Sequence, residues 1–262
     1  MKLGFGLGLK QKWDFFWFKP RVIEKLVCGI KLKVKLADPF GGGWYGEQHN
    51  HWPELEWIAE HGIAHGDCVI DCGANHGFTS IFFAKLTGSN GNVFAVEPLE
   101  RNQKVIRENI ELNQVTNCKP FAVAAGSSNT SINMEDVSNG SVLGGNKKSR
   151  RTIKVSQRRL DDMFDDKKID FLKMDVEGFE LEALKGATKT LLTKPRLALE
   201  LHVMFYDEPT QTLEAILKLI DVERYKVFLQ REVDGAIVSE PSDSAYLLRE
   251  ILRCEVAHLF CI

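Results

Sequence analysis

The sequence lacks several signatures. Its six cysteines, Cys28, Cys68, Cys72, Cys118, Cys254 and Cys261, form no CxxC pair and no Cys/His group at zinc spacing. That argues against a structural zinc knuckle or a disulfide framework, and leaves buried free thiols in a reducing, cytoplasmic setting as the expectation. No apolar run is long enough to span a bilayer, and no continuous apolar stretch precedes a small-residue cleavage site, so neither a membrane anchor nor a signal peptide is expected. An excess of one charge is also missing: 34 Lys and Arg stand against 36 Asp and Glu, a net charge of -2, which argues against a dedicated nucleic-acid binder. No internal repeat is visible.

What is present is a chain of 262 residues with 44% hydrophobic residues, a length and composition suited to one α/β domain with a substantial core. PELEWIAEHG (53–62) predicts a short amphipathic helix stopped by Gly62. Buried strands are expected at DCVIDC (67–72), VFAVE (93–97), DFLKMD (170–175) and RLALELH (196–202), with closing strands at YKVFLQ (225–230) and VAHLFCI (256–262). Helices are expected at 78–86, 99–113, 181–192 and 210–220. TIKVSQ (152–157) adds a further strand, and residues 126–150, rich in Gly, Ser and Asn, read as a surface excursion or hairpin. Strands alternating with helices mean a doubly wound, mostly parallel sheet with right-handed crossovers.

The stretch VIDCGANHGFTS (69–80) runs a strand into a helix through Gly73 and Gly77. Such a turn beyond the carboxyl end of a parallel strand lets backbone amides approach a ligand. No lysine follows Gly77, which argues against a Walker A phosphate loop, and Asn75 stands where a dinucleotide fold has its middle glycine. Glu97 ends the next strand, where a carboxylate can accept ribose hydroxyls. Asp71 would repel a pyrophosphate but receive an ammonium, directly or through water. A ribose together with a charged amine points to S-adenosylmethionine, and a nicotinamide-dependent dehydrogenase is disfavoured.

These segments, with TIKVSQRRLDDMFDDKKIDFLKMDVEGFELEALKGA and the following LALELH, resemble the FkbM family of S-adenosylmethionine-dependent methyltransferases over roughly residues 52–202. KMDVEGFE is the most specific element of the resemblance, which does not extend to the N-terminal arm. The resemblance implies a class I methyltransferase fold, Rossmann-like, with a seven-stranded sheet and helices on both faces, acting mainly on hydroxyl groups. It implies that Asp71, Gly73, Asn75, Gly77, Phe78 and Thr79 surround the methionine portion of the cofactor, that Glu97 holds the ribose, and that Pro98 and Asn102 flank it. His76 departs from the apolar residue common in the family and is expected to bring a polar group near the substrate.

Methyl transfer from a sulfonium needs an aligned acceptor and a group to take the acceptor's proton. Asp175 and His202 lead the candidates, with Glu177 and Lys173 behind them. Alternation puts Lys173 with Asp175 on one face, and Glu200 with His202 on one face. His202 is expected to act as a base oriented by Asp175 or Glu177, or else Asp175, Glu177 and His202 hold a divalent ion, Mg2+ or Mn2+; the sequence leaves both open. His258 is expected to be structural.

Residues 1–51 read as a basic, aromatic arm or lid, and residues 52–262 as the methyltransferase domain. The first 36 residues carry nine Lys or Arg against Asp14 and Glu24, with Trp13, Phe15, Phe16, Trp17 and Phe18 clustered. Packing on the domain and peripheral contact with an anionic membrane are the two readings. Trp44, Tyr45, His49, His51 and Trp52 form a candidate acceptor-binding lid, and residues 138–146 a second. The expected function is O-methylation of a sugar hydroxyl in a glycan or glycoconjugate. The rivals are methylation of a small secondary metabolite or an N acceptor, and a methyltransferase-fold binding protein without turnover.

Overall fold

The computed structural model describes residues 17–46, 51–135, 152–232 and 235–262. Trp13, Phe15, Phe16, His49 and the excursion at 138–146 lie outside the described residues.

Chain order begins with an antiparallel hairpin of β1 (Arg21–Val27) and β2 (Ile30–Leu36). Its two-residue turn places Cys28 at φ +49° and Gly29 at φ +78°, the left-handed pair that matches the twist of a tight hairpin. Helix α1 (Pro39–Trp44) is capped by Asp38, whose carboxylate accepts the Gly41 amide at 2.8 Å. Helix α2 (Pro53–Trp57) runs into a π-turn over Ile58–Gly62, so the expected helix ends at Gly62.

The core then alternates β3 (Cys68–Cys72), α3 (Phe78–Thr87), β4 (Asn92–Val96), α4 (Glu100–Leu112) and β5 (Cys118–Phe121). Strands β6 (Ala124–Ala125), β7 (Thr130–Glu135) and β8 (Thr152–Arg158) form a separate small sheet, so the strand expected at 152–157 adds to that sheet and not to the main one. Next come α5 (Leu160–Met163), β9 (Phe171–Met174), α6 (Glu180–Lys185), α7 (Thr188–Leu192) and β10 (Arg196–Leu201). The single helix expected over 181–192 is broken at Gly186, where a Cβ would sit 2.1 Å from the Gly126 carbonyl oxygen. The chain closes with α8 (Pro209–Ile220), β11 (Val227–Gln230), β12 (Val238–Glu240), α9 (Ser244–Ile251) and β13 (Ala257–Cys261).

The main sheet has the order β12-β11-β13-β10-β9-β3-β4-β5. Strands β5, β4, β3, β9 and β10 are parallel, β13 is antiparallel to both neighbours, and β12 is a three-residue edge added to the expected seven. Chain order reverses direction between β3 and β9, which is where an open α/β sheet parts its loops to admit a ligand.

Alternation along the strands feeds two cores. Ile70, Leu172 and Leu199 pack with α6 to α9 on one side, while Val69, Phe171, Ala198 and Phe260 pack with α2, α3 and the hairpin on the other. Asp71, Lys173, Glu200 and His258 share the parity of the second set. Asp71 stands opposite Lys173, and Glu200 opposite His258; Lys173 itself faces Ala198, so the charged row that crosses four adjacent strands steps by two residues between β9 and β10. Phe78, Phe82, Phe83 and Phe171 are fully buried beside it, each contributing about 1.5–3 kcal/mol by leaving water.

Candidate active site

The turn between β3 and α3 is built from left-handed residues. Gly73 (φ +82°) and Gly77 (φ +78°) bracket Asn75 (φ +50°), a conformation asparagine tolerates better than most side chains. Gly73 is required twice over, because a Cβ there would lie 1.7 Å from the Asp175 carbonyl oxygen. The tips of β3 and β9 therefore touch through a glycine. Beyond β9, Glu177 itself is left-handed at φ +53°, a strained setting for a bulky acid, and Gly178 follows at φ +93°.

Glu97 lies just beyond β4 and is 5% exposed. Its Oε2 accepts the Asn75 amide at 3.0 Å, and Oε1 accepts the Leu99 amide at 2.9 Å and Asn102 Nδ2 at 3.2 Å. Burial pushes this carboxyl up to about 7, against the pull of those donors. Oε1 already accepts two bonds and Oε2 one, which leaves Oε2 the more open of the two oxygens. Pro98 is half-buried beside it.

Asp71 is sealed at 0% exposure. Its Oδ2 accepts Thr79 Oγ1 at 2.7 Å and Ser80 Oγ at 2.5 Å, and Oδ1 faces Lys173 Nζ at 3.9 Å. The ammonium that Asp71 receives is thus the lysine's, and the carboxylate fixes the first turn of α3. His76 is also turned inward: 1% exposed, it faces Asp38 at 3.5 Å and sits where a Cβ on Gly41 would come within 2.6 Å of its ring. It fastens α1 to the glycine turn and does not offer the polar group expected near a substrate.

Lys173 Nζ lies 3.2 Å from Asp175 Oδ2. Burial disfavours its charge, but Asp175, Asp71, Glu200 and Glu54 together raise its pKa. Burial likewise opposes ionisation of Asp175, but Lys173, His202 and His258 together outweigh it and hold the carboxyl low. The imidazole of His202 is gripped by a residue that sequence reasoning missed: Nδ1 lies 3.0 Å from Glu180 Oε1, and Glu180 Oε2 accepts the Tyr206 hydroxyl at 2.9 Å. Glu180 belongs to the KMDVEGFE string and opens α6, a signal read there only as family resemblance. It replaces Asp175 and Glu177 as the group orienting the ring.

Around His202 Nε2 stand Glu200 Oε1 at 3.5 Å, Glu177 Oε2 at 3.6 Å and Asp175 Oδ1 at 4.0 Å. Burial lowers the basicity of His202, but the Glu180 bond and the charges of Asp175 and Glu200 raise its pKa to about 10. The ring therefore carries a proton at neutral pH, which does not suit the free base expected of it. Its side chain is 6% exposed, whereas Asp175 and Glu177 are 27% and 21% exposed. The carboxylates are the open face of the cluster.

In the 41–57 segment, Phe78 lies under Tyr45 (ring centroids 4.9 Å apart) and Trp52 (5.3 Å), and Lys25 stands 5.5 Å over the Trp52 ring. Phe78 is buried and supports these rings. Trp44 is exposed, and exposed His51 pairs with Glu56 at 3.1 Å.

The doubly wound sheet with its antiparallel β13, the glycine turn and the acid ending β4 define a class I methyltransferase fold. The chain belongs to the FkbM methyltransferase family, whose domain model matches residues 71–227. S-adenosylmethionine is the cofactor that this membership brings.

Among solved structures, it is similar to methyltransferase FkbM from Methylobacillus flagellatus KT, with 19% identity over 79% of this chain and a TM-score of 0.48. The match takes in 50% of that relative, so the chain spans about half its length. An S-adenosylmethionine-dependent O-methyltransferase from Thermotoga maritima matches at 15% identity over 92% of this chain and 77% of its own, TM-score 0.48. Aeropyrum pernix fibrillarin, solved with natively bound S-adenosyl-L-methionine, matches at 13% identity over 80% of this chain and 72% of its own, TM-score 0.45. No curated protein matches the chain.

Proposed function

We propose that the protein transfers the methyl group of S-adenosylmethionine to a hydroxyl, most readily that of a sugar in a glycan or glycoconjugate. The observation that carries this reading is the junction of two half-sites: the Gly73 turn, whose Asn75 amide is held by Glu97, abuts the Asp175 backbone of the acidic cluster. A nucleoside seated on the first half would direct its sulfonium toward the second.

The cofactor supplies the activated methyl group, and the chain supplies alignment and a proton acceptor. Asp175 and Glu177 present the open oxygens, one of which would take the proton of the acceptor hydroxyl. His202 and Lys173 hold these carboxylates in place from behind. Trp44, Tyr45 and Trp52, beside the turn, offer aromatic faces of the kind that stack on sugars. A divalent ion, Mg2+ or Mn2+, on Asp175, Glu177 and His202 is a second form of the reading; the ligand atoms that gather within 4.8 Å of one another are those of Asp175, Glu200 and His202, so Glu200 takes the place of Glu177 in that form. Exposed Leu26, opposite Lys31 in the hairpin, and exposed Trp17 support peripheral contact with an anionic membrane.

Calorimetric titration with S-adenosylmethionine, S-adenosylhomocysteine and NAD tests the cofactor class, the first two being expected to bind and NAD not. Binding of NAD alone would replace methyl transfer by hydride chemistry. Cofactor binding without transfer to any sugar, metabolite or amine acceptor would favour the non-catalytic binding protein. EDTA-insensitive turnover would remove the ion.

A further inference from the structure

Glu180 is fully buried and is bonded from three directions. Its Oε1 accepts two hydrogen bonds, from the Gly178 amide at 2.9 Å and from His202 Nδ1 at 3.0 Å, while Oε2 accepts the Tyr206 hydroxyl at 2.9 Å. The turn it reaches back to is the one that carries Glu177. Glu177 is left-handed at φ +53° and Gly178 at φ +93°, a path that a long side chain rarely follows unless its surroundings impose it. Two contacts impose it here. Glu180 binds the Gly178 amide, and Gly178 lies so close to Phe205 that a Cβ would come within 2.7 Å of the Phe205 Cβ. Phe205 in turn stacks on the His202 ring, with centroids 5.7 Å apart and planes tilted by 10°. The far nitrogen of that ring, Nε2, faces Glu177 Oε2 at 3.6 Å. Backbone and side chain of Glu177 are therefore both set by groups that Glu180 holds. His258, by contrast, lies between Glu54 Oε2 at 3.0 Å and Glu200 Oε1 at 3.7 Å, and ties α2 to the sheet.

We propose that Glu180 is a positioning residue for methyl transfer that acts through Glu177: its one carboxylate fixes the strained turn that presents Glu177 and aims His202 Nε2 at the Glu177 oxygen. The inference rests on the methyl-transfer reading above, and says what holds an open carboxylate ready for an acceptor hydroxyl. Proton transfer needs an oxygen already within hydrogen-bond reach, and a misplacement of about 1 Å can lower the rate about a hundredfold. The charge of Glu180 matters as well as its shape. The Gly178 amide and the Nδ1 proton converge on one oxygen, which an ionised carboxylate accommodates with lone pairs to spare. A residue whose task was only to open α6 would have no use for His202 and Tyr206. Phe179, at the cap position, makes no side-chain bond, and the Gly178 contact alone would serve that task.

The test compares the full-length wild type with Glu180→Gln, Glu177→Ala and the double variant. Methyl glycosides of glucose, galactose and mannose serve as acceptor probes, and S-adenosylhomocysteine as the binding probe. Glu180→Gln is expected to lower kcat about 10- to 100-fold, with KM for the sugar within about threefold and S-adenosylhomocysteine affinity within about twofold. In the Glu177→Ala background the same change is expected to lower kcat at most about threefold, because the residue it positions is gone. Losses that multiply in full, a fall in cofactor affinity matching the fall in kcat, or an unchanged kcat beside a lowered Tm would overturn the proposal, the last by leaving Glu180 a strut of the fold. If Glu180→Gln does not fold, or the wild type turns over none of these sugars, spectra of the wild-type protein decide. The His202 Nδ1 proton and the Gly178 amide must both exchange slowly with water, and rapid exchange at either counts against the proposal. Slow exchange at both without turnover sinks the methyl-transfer reading while the hold of Glu180 on the turn stands, so the two failures are distinct.

Discussion

At the scale of single residues, Glu97 makes the sharpest prediction because the fold and the ligand ask different things of it. Burial holds its carboxyl near 7, above the ordinary value of 4.5. An acid raised in the folded state keeps its proton longer than in the unfolded chain, so its contribution to stability declines as pH climbs from about 4.5 to about 7. The decline is on the order of 3 kcal/mol at most. The ribose hydroxyl, however, needs the ionised oxygen. Affinity for S-adenosylhomocysteine is therefore expected to rise about tenfold from pH 6 to pH 8, following the ionised fraction, and Glu97→Gln should flatten that profile and weaken binding throughout. Calorimetry across pH reads both, and a flat wild-type profile would remove Glu97 from the ribose. Asp175→Asn probes the other half-site: turnover is expected to drop by about 10²- to 10⁴-fold while cofactor affinity stays within about twofold. A parallel loss of cofactor binding would make Asp175 part of the nucleoside pocket instead.

At the scale of elements, the hairpin is held by two asparagines one turn apart, Asn109 within α4 and Asn113 at its C-terminal cap. Asn113 accepts the Lys33 amide at 2.8 Å and donates to the Lys33 carbonyl at 2.7 Å, and so takes the place of a neighbouring strand. Asn109 accepts the Lys35 amide at 2.7 Å and donates to the His76 carbonyl at 2.9 Å, tying hairpin and glycine turn to one helix. Asn109→Ala leaves both buried groups without their partner, and is expected to cost about 1–3 kcal/mol and to speed hydrogen exchange at the Lys35 amide. Unchanged exchange there would mean that the hairpin is held by its apolar face alone. None of this was legible in the sequence, where Asn109 and Asn113 read as ordinary polar positions of an amphipathic helix. The parallel core strands were legible because buried strands need continuous apolar runs. Strand β5 was not, because Pro120 lies within it, opposite Ala95, on an edge that tolerates a missing amide. The site shows the same division. Gly73 and Glu97 announce themselves by spacing along the chain, whereas Glu54 and Glu180 meet their histidines only through pairing of distant segments.

At the scale of the whole molecule, the cofactor seat joins parts of the chain that otherwise meet only through the core. The glycine turn touches β9 at Asp175, α4 through the His76 carbonyl and α1 through the His76 ring. A ligand that fills this seat contacts groups set by several elements at once, and binding should therefore appear as global stabilisation. At a hundredfold excess over its dissociation constant, a ligand specific for the folded state adds about 2.7 kcal/mol. For a chain of this size that corresponds to a rise in Tm of roughly 5–10 °C. S-adenosylmethionine and S-adenosylhomocysteine should both produce the rise. NAD should not, since Asn75 fills the place of the glycine that lets a pyrophosphate close on the backbone, and buried Asp71 adds negative charge behind it. Thermal melts with each ligand distinguish the cases. A shift of this size with NAD alone would mean that the turn admits a pyrophosphate despite Asn75, and that the acidic cluster at Asp175 serves another chemistry.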